Sequence, residues 1–181
     1  MRDEATGTGA AFEGVLPADR ILAGEAHDDY SHDEALGATP CVPLAVLLPE
    51  TTDEVAAILR VCDQHRIPVT GRGSGTGLSG AAIPVEGGVV VSFERMKRIE
   101  IDEENQVAIV EPGVTLAELD EVTAKHSLTY PVFPGEYSAS LGGNVATNAG
   151  GMRAVKYGVT RHQVLGLEAV LPSGEVLTTS R

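Results

Sequence analysis

The chain has 181 residues, of which 43% are apolar, 22% charged and 4% aromatic. This composition is typical of a folded globular domain and excludes disordered and fibrous classes, and the length allows a core without disulfides or metals. The net charge of −13 disfavours nucleic acids and anionic membrane surfaces as partners.

No apolar run is long enough for a transmembrane segment, and the first residues lack the basic-then-apolar order of a signal peptide. We therefore expect a soluble cytoplasmic protein. The two cysteines, Cys41 and Cys62, have neither CxxC spacing nor a nearby histidine pair. They are expected to be reduced, mostly buried thiols, and no metal site is predicted.

The negative charge is concentrated near the N-terminus, where residues 1–40 hold nine acidic and two basic residues. We interpret residues 1–39 as an acidic N-terminal extension. Its first dozen residues are expected to be a loose tail and the rest an irregular segment on the surface. Residues 40–181 form the predicted domain.

A strand, a helix and a second strand begin this domain. The apolar run LAVLLP from Leu44 predicts a buried strand. Thr51 and Glu54 have the spacing of a capping box, and the apolar residues that follow recur on one helical face. Residues 67–70 predict the second strand, which completes a βαβ unit.

Further elements follow in both halves of the domain. Residues 89–93 and 106–110 predict strands, and Thr115 with Glu118 predicts a capping box that opens a helix. Residues 163–171 and 175–179 flank a turn at 172–174 and predict a hairpin.

Between two of these strands lies the glycine-rich stretch TGRGSGTGLSGAAIP. Gly75, Gly77 and Gly80 spell GxGxxG, but the dinucleotide fingerprint needs a helix directly after it, and Pro84 with Gly87 leaves no room for one. A Walker loop is excluded because no Lys-Ser or Lys-Thr pair follows a glycine.

The remaining functional interpretation is a loop whose backbone N–H groups bind a phosphate or pyrophosphate. Arg72 could add a charge-assisted contact, and Ser74, Thr76 and Ser79 offer hydroxyl donors. The alternative is a mobile surface loop. Apolar residues argue for a packed loop, namely Leu78, Ala81, Ala82 and Ile83.

A second segment of small residues reads GEYSASLGGNVATNAGG. Ser138 or Ser140 could cap a short helix whose glycines admit a flat ring against the backbone, while Asn144, Thr147 and Asn148 could form hydrogen bonds. The alternative is tight helix packing through small residues. Two such segments about 65 residues apart suggest a ligand long enough to contact both, such as a dinucleotide.

These segments resemble the FAD-binding domain of the vanillyl-alcohol oxidase and p-cresol methylhydroxylase (PCMH) type. Within it the sequence is most similar to FAD-linked oxidases of the glycolate oxidase subunit and D-lactate dehydrogenase branch. The resemblance covers residues from about 40 to 180. It is carried by PETTDEVAAILRVCDQHRIPVTGRGSGTGLSGAAIP, by VEPGVTLAELDEV and by SASLGGNVATNAGGMRAVKYGVTRHQVLGLEAVLPSGEVL.

The resemblance implies an α+β fold of two packed α/β subdomains, a small βαβ subdomain and a larger mixed-sheet subdomain, with FAD between them. It implies that a first group of residues wraps the pyrophosphate: Arg72, Gly73, Ser74, Gly75, Thr76, Gly77, Leu78 and Ser79. A second group would line the flavin side: Pro134, Gly135, Ser140, Gly142, Gly143, Asn144, Asn148, Gly150 and Gly151. Gly158 and Val164 would lie toward the adenine.

Two departures from the family pattern matter. Some relatives attach FAD covalently through a histidine in the first glycine loop, and this loop has none, so we expect non-covalent FAD. Relatives also continue into a further glycine-rich flavin contact and a substrate or cap domain. We expect this sequence, which stops at Arg181, to be a truncated FAD-binding domain without that second domain and inactive by itself.

By resemblance, the activity is FAD-dependent oxidation of a 2-hydroxy acid such as D-lactate or glycolate. The electron acceptor stays open between a quinone, an iron–sulfur partner and oxygen. Alternatives are another reaction on the same scaffold, such as that of an enolpyruvyl-sugar reductase or an ether-lipid synthase, or a non-catalytic flavin-binding module.

The histidines give no catalytic pattern. His27 and His32 lie in the acidic extension, and His65 and His126 each end a predicted helix, where a cation suits the helix dipole. His162 is the candidate kept as a neighbour of the flavin, and no catalytic residue is named.

Overall fold

The computed structural model describes residues 10–23 and 28–180, and these form an α+β fold, as expected. The α-helices are α1 (Thr52–His65), α2 (Leu116–Lys125), α3 (Leu141–Ala146) and α4 (Ala154–Tyr157). The strands are β1 (Ile21–Ala23), β2 (Ala45–Leu47), β3 (Val69–Arg72), β4 (Val89–Ser92), β5 (Ile99–Asp102), β6 (Val107–Val110), β7 (Gly166–Val170) and β8 (Val176–Ser180).

The first half of the fold is built on a four-stranded sheet with the order β1-β2-β4-β3. The strands β2, β4 and β3 are parallel, and β1 is antiparallel to β2 at the edge. The predicted strand–helix–strand unit is confirmed, with β4 inserted between its two strands. The long glycine-rich connection therefore joins two neighbouring parallel strands, β3 and β4, without a helix.

Helix α1 begins where the sequence predicted it. Thr51 Oγ1 accepts a hydrogen bond from Glu54 N at 3.2 Å, but the Glu54 carboxylate does not return the bond to Thr51. It accepts instead from Glu50 N and from the Arg20 guanidinium, so half of the predicted capping box forms. The helix ends at Arg66, which has the left-handed φ of 56°. In α2, by contrast, Thr115 and Glu118 form the complete predicted box.

One face of α1 packs on the sheet and forms the larger core. Its buried residues are Phe12, Leu16, Ala45, Leu47, Ile58, Cys62, Val89 and Val91. Phe12 comes from the expected loose tail, and Leu16 and β1 come from the stretch that we expected to be an irregular surface segment, so both expectations are wrong for these residues. The structure differs here because these apolar side chains, though flanked by acidic residues, cover the sheet.

The second half has its own core around α2 and α3, formed by Val114, Leu116, Leu119, Ala139 and Leu141. The hairpin β5–β6 packs beside it, and its first strand was not predicted. Within the described residues the strands of this half form two hairpins rather than a single mixed sheet.

The second hairpin, β7–β8, confirms the prediction for the C-terminal residues. Its first strand begins at Gly166 rather than at residue 163, because residues 160–162 form a 3₁₀ turn. Arg60 of α1 donates to Gly174 O at 3.1 Å and holds the hairpin turn. Residues 1–9 and 24–27, and with them His27 and most of the expected loose tail, lie outside the described residues.

Candidate functional site

The first glycine loop occupies residues 73–88 between β3 and β4. No backbone N–H of residues 74–80 donates a hydrogen bond to another described residue. Gly75 and Gly80 have φ values of 73° and 78°, a left-handed conformation in which glycine is unstrained. A run of unpaired N–H groups on such a backbone can bind a phosphate.

Leu78 does not anchor this loop, because its side chain is 78% exposed. The expectation that Leu78 packs the loop against the domain is therefore wrong. Ala82 and Ile83 are half-buried, so the apolar anchoring is confined to the end of the loop. Leu78 remains in the predicted site only through its backbone.

Arg72, at the end of β3, contacts different groups from the phosphate that the sequence suggested. Its Nη1 donates to His32 O at 2.6 Å and its Nη2 to Asp29 O at 2.7 Å. The side chain is 8% exposed, and burial lowers its pKa while neighbouring acidic groups oppose this. The guanidinium lies against Gly75, where an added β-carbon would be 2.5 Å from Arg72 Cζ. The Arg72 charge therefore lies on the buried side of the glycine loop, against the backbone of residues 29 and 32.

The second glycine segment meets the first at Ser140. This serine is the N-cap of α3, its Oγ accepting from Gly143 N at 3.4 Å, as one of the two sequence alternatives predicted. A β-carbon at Gly73 would overlap the Ser140 side chain, and one at Gly142 would lie 2.6 Å from Pro112 Cβ. The glycines allow both close approaches, so the two segments form one continuous surface.

Asn144 lies on the buried side of α3 and is 5% exposed. Among the described residues, its Nδ2 is the one buried side-chain nitrogen or oxygen without a hydrogen-bond partner. Leaving such a donor unpaired costs about 1–3 kcal/mol. A ligand acceptor would satisfy it, which fits the predicted role of this residue.

Three further predicted residues form a wall beside α4. Gly151, with φ of 125°, lies against Phe133 and Pro134, where a β-carbon would be 2.6 Å from Pro134 Cα. Asn148, also with positive φ, accepts from Arg161 N at 3.1 Å through its Oδ1. Gly150 lies against Val159. The Asn148 side-chain oxygen is therefore used within the protein.

The predicted adenine end is less defined. Gly158 has φ of 80° and lies against His162, whose Nδ1 accepts from Val159 N at 3.1 Å. Val164 is half-buried and precedes β7 by two residues. Gly135 has φ of 111° and open space around it.

The charge near the second segment is positive although the chain is acidic. Residues 137–167 contain no Asp or Glu. Arg153 lies over the Phe133 ring at 5.8 Å, and Lys156 lies 4.7 Å from the Tyr157 ring centroid. The hydrogen bond from Lys156 and its charge, with that of Arg153, lower the pKa of Tyr157. This local charge favours an anionic ligand.

Two open grooves lie apart from the glycine loop. One, of about 390 Å³, runs between α1 and the β7–β8 hairpin, and the other, of about 310 Å³, is lined by Thr129, Pro131, Arg153 and Tyr157. The predicted phosphate-binding surface is made of backbone groups and coincides with neither groove. Residues 10–23 and 28–180 bring together no cluster of three potential metal ligands.

The residues present fit FAD on two observations. The unpaired N–H groups of residues 74–80 suit a pyrophosphate, and Asn144 presents a buried unpaired donor. The glycines at 73, 142 and 151 allow the surrounding segments to pack closely against one another. Sequence reasoning missed Pro112, which packs against α3: Gly142 N donates to Pro112 O at 3.0 Å. The motif VEPGV was the available signal for it.

Comparison with known proteins agrees with this geometry. An uncharacterized FAD-linked oxidoreductase of Mycobacterium tuberculosis is 55% identical over 94% of this chain and 38% of its own length. A D-lactate dehydrogenase of Archaeoglobus fulgidus is 50% identical over 83% of the chain and 34% of its length. The glycolate oxidase subunit GlcD of Bacillus subtilis is 46% identical over 83% and 32%. The chain thus spans about a third of the length of these relatives.

Solved structures share the fold at low sequence identity. The grass pollen allergen Phl p 4, which has glucose dehydrogenase activity, superposes with a TM-score of 0.83 at 21% identity, over 94% of this chain and 37% of its own. An alkyldihydroxyacetonephosphate synthase gives a TM-score of 0.83 at 19% identity, over 95% and 33%. A dehydrogenase and a synthase on one fold show that the fold does not select the reaction.

None of the helices in the described ranges is long and apolar enough to cross a membrane. The family model described as FAD binding domain matches residues 43–180, which include both glycine segments. Together with the relatives named FAD-linked oxidoreductase, D-lactate dehydrogenase and glycolate oxidase, this match shows that the chain belongs to the FAD binding domain family.

Proposed function

We propose that this chain is the FAD-binding part of a flavin-dependent oxidoreductase that oxidises a 2-hydroxy acid such as D-lactate or glycolate. The observation that carries the proposal is the run of unpaired N–H groups in residues 74–80, joined at Gly73 to the capped start of α3. The names of the D-lactate dehydrogenase and glycolate oxidase relatives support the substrate class.

The residues of this chain would bind and orient the cofactor. The backbone of residues 72–79 would bind the pyrophosphate, with the Arg72 charge behind it. Residues of α3 and the wall beside it would contact the flavin, with Asn144 Nδ2 as a hydrogen-bond donor. When bound, FAD supplies a hydride acceptor at N5 of its flavin ring. The cations near α4 would favour the negative charge of cofactor and substrate.

We propose that FAD is held non-covalently. Residues 72–80 contain no histidine or cysteine and so offer no nucleophilic ring nitrogen or thiol for a covalent link from this loop. Precipitation with acid should therefore release all of the flavin into the supernatant. Flavin that stays with the precipitated protein would contradict this proposal.

The electron acceptor, a quinone, an iron–sulfur partner or oxygen, and a cytoplasmic location remain expectations. The same scaffold with a different reaction, such as that of the alkyldihydroxyacetonephosphate synthase, is the second candidate. It predicts that a 2-hydroxy acid does not bleach the flavin absorbance of the complete protein.

An FAD titration followed by desalting tests the proposal, with FMN as the control because it lacks the adenine half. Retention of FAD and weak retention of FMN are expected. Anaerobic addition of D-lactate or glycolate to a protein that includes the substrate-binding region should then bleach the flavin absorbance. If the protein retains FAD but neither acid bleaches its absorbance, the remaining candidates are a non-catalytic flavin-binding module and an enzyme with another reaction.

A further inference from the structure

The N-terminal segment, residues 28–34, lies against the first glycine loop although it is outside the residues matched by the family model. Glu34 N donates to Gly77 O at 2.9 Å, in the middle of the loop. Asp33 Oδ2 accepts from Ala82 N at 3.4 Å, near the end of the loop, and its Oδ1 accepts from Ala35 N at 3.0 Å. The segment therefore holds the loop at two places.

Arg72 ties the same segment to the start of the loop. Its two terminal nitrogens donate to His32 O and Asp29 O, and Nη1 also reaches Ala82 O at 3.5 Å. The guanidinium lies 5.6 Å from the Tyr30 ring centroid. One side chain thus joins the strand end, the N-terminal segment and the loop end.

The loop has little else to fix its shape. Its own backbone hydrogen bonds, Ile83 N to Gly80 O at 3.2 Å and Gly88 N to Val85 O at 3.0 Å, lie beyond residue 79. In residues 73–79, the bond from Glu34 N is the one backbone hydrogen bond formed with a described residue. Because glycine has the greatest backbone freedom, the arrangement of the N–H groups depends on the N-terminal segment.

Asp33 and Arg72 are both 8% exposed, and burying charged groups is costly unless they are hydrogen-bonded.

The effect of Asp33 on FAD affinity has two opposing contributions. Its carboxylate lies near Gly77, where its negative charge would repel a phosphate, but its hydrogen bonds fix the loop. Removing the side chain would tighten FAD binding if charge dominates and weaken it if positioning dominates.

We propose that Asp33 and Arg72 are positioning residues for the cofactor, which hold the glycine loop in the conformation that binds a pyrophosphate. The proposal rests on the proposed function, since it takes residues 72–79 as the FAD pyrophosphate site. On this proposal, the N-terminal segment contributes to FAD binding by fixing the glycine loop.

The test compares Asp33→Ala with Glu86→Ala in the full chain. Glu86 is an exposed acid in the same connection, so it controls for the loss of charge. FAD dissociation constants and amide hydrogen exchange of the free protein are measured for both variants. Asp33→Asn, which keeps an acceptor oxygen, is the conservative variant, and Arg72→Lys keeps the charge but loses the two-pronged donor geometry.

We expect Asp33→Ala and Arg72→Lys to weaken FAD binding at least about tenfold, Asp33→Asn to recover most of the affinity, and Glu86→Ala to match the wild type. Exchange should accelerate at Glu34 and Ala82 but not in β4. Equal or tighter FAD binding by Asp33→Ala would overturn the proposal, and so would faster exchange throughout the sheet. A wild-type chain that retains no FAD would overturn the proposed function, while the exchange data would still decide whether the segment fixes the loop.

Discussion

Gly73 lies directly against Ser140, so that the start of the first glycine loop and the cap of α3 share one contact. The two residues are far apart in the chain, and a β-carbon on Gly73 would be 2.8 Å from Ser140 Cβ. Neither segment can move outward alone without opening the predicted cofactor surface.

Gly73→Ala should therefore lower the free energy of unfolding by about 1–3 kcal/mol, the usual cost of overpacking, and weaken FAD binding. Ser140→Gly removes the obstructing side chain, and a glycine cap costs only a few tenths of a kcal/mol. The double variant should thus recover most of the loss in a urea titration. A Gly73→Ala protein as stable as the wild type would show that the contact is loose.

Gly75→Asp should abolish FAD binding and leave the far-UV circular dichroism spectrum unchanged. A side chain at this position would point into the Arg72 guanidinium, which lies against Gly75, so the carboxylate would neutralise that charge and displace the N–H groups of the loop. Gly14→Asp adds the same charge at a position with open space and is the control. FAD titration of the two variants is the measurement, and equal affinities would remove the pyrophosphate assignment.

The Asn144→Leu variant should bind FAD more weakly without losing stability. The unpaired Nδ2 costs free energy in the unliganded protein, so an apolar side chain of similar size should leave the unfolding free energy unchanged or raise it by up to about 1 kcal/mol. FAD affinity should fall in the same variant. A destabilisation of more than about 2 kcal/mol would mean that the amide is hydrogen-bonded within the protein.

The Arg20–Glu54 pair should make the stability of the sheet region depend on pH. Arg20 donates to both carboxylate oxygens at 2.8 and 2.7 Å, and this hydrogen bond lowers the pKa of Glu54 below its ordinary 4.5. A depressed carboxyl pKa gives stability that is present above the unfolded value and lost as the pH falls through the folded value. Glu54→Gln should cost about 1 kcal/mol at neutral pH.

Thermal unfolding of the wild type and Glu54→Gln between pH 7 and pH 3 checks this. The difference between their melting temperatures should shrink below pH 4.5, the ordinary pKa of the group. A constant difference over the whole range would show that the loss does not come from the carboxylate charge.

The two thiols should react at very different rates. Burial raises the pKa of Cys62 to about 11, while Cys41 is half-buried. Because the thiolate is the reactive form, a disulfide reagent at pH 8 should modify Cys41 in the folded protein and Cys62 only after unfolding. In Cys41→Ser the fast phase should be missing, and a fast phase that persists would contradict the burial of Cys62.

Most of the regular structure could be predicted from local patterns. The caps at Thr51 and Thr115 and the turn at residues 172–174 each rest on residues close together in the sequence. Strand β1 was missed because its apolar run is only three residues long, and β5 because two of its four residues are acidic. Strand β2 is as short as β1 but lies in a longer apolar run. Phe12, Val15 and Leu16 have the i, i+3, i+4 spacing of one helical face, but we interpreted this stretch by its acidic charge and passed over that spacing.

In the candidate site, too, some features could be predicted from the sequence and others could not. Glycine spacing was enough to find both loops, because the chain conformation there requires glycine. The partners of Arg72 could not be found this way, since they are the backbone carbonyls of Asp29 and His32. Every residue carries a carbonyl, so no residue type in the sequence marks this contact.

The connection from β3 to β4 is longer than the distance that it covers. Residues 73–88 could span roughly 50 Å when extended, yet they only return along a strand of four residues, about 13 Å. Because parallel strands need a connection of about a dozen residues, a loop shortened by a few residues could still join β3 to β4. A shortened loop should give a protein that still folds but has lost its cofactor, so this part of the chain is where binding can be redesigned without rebuilding the scaffold.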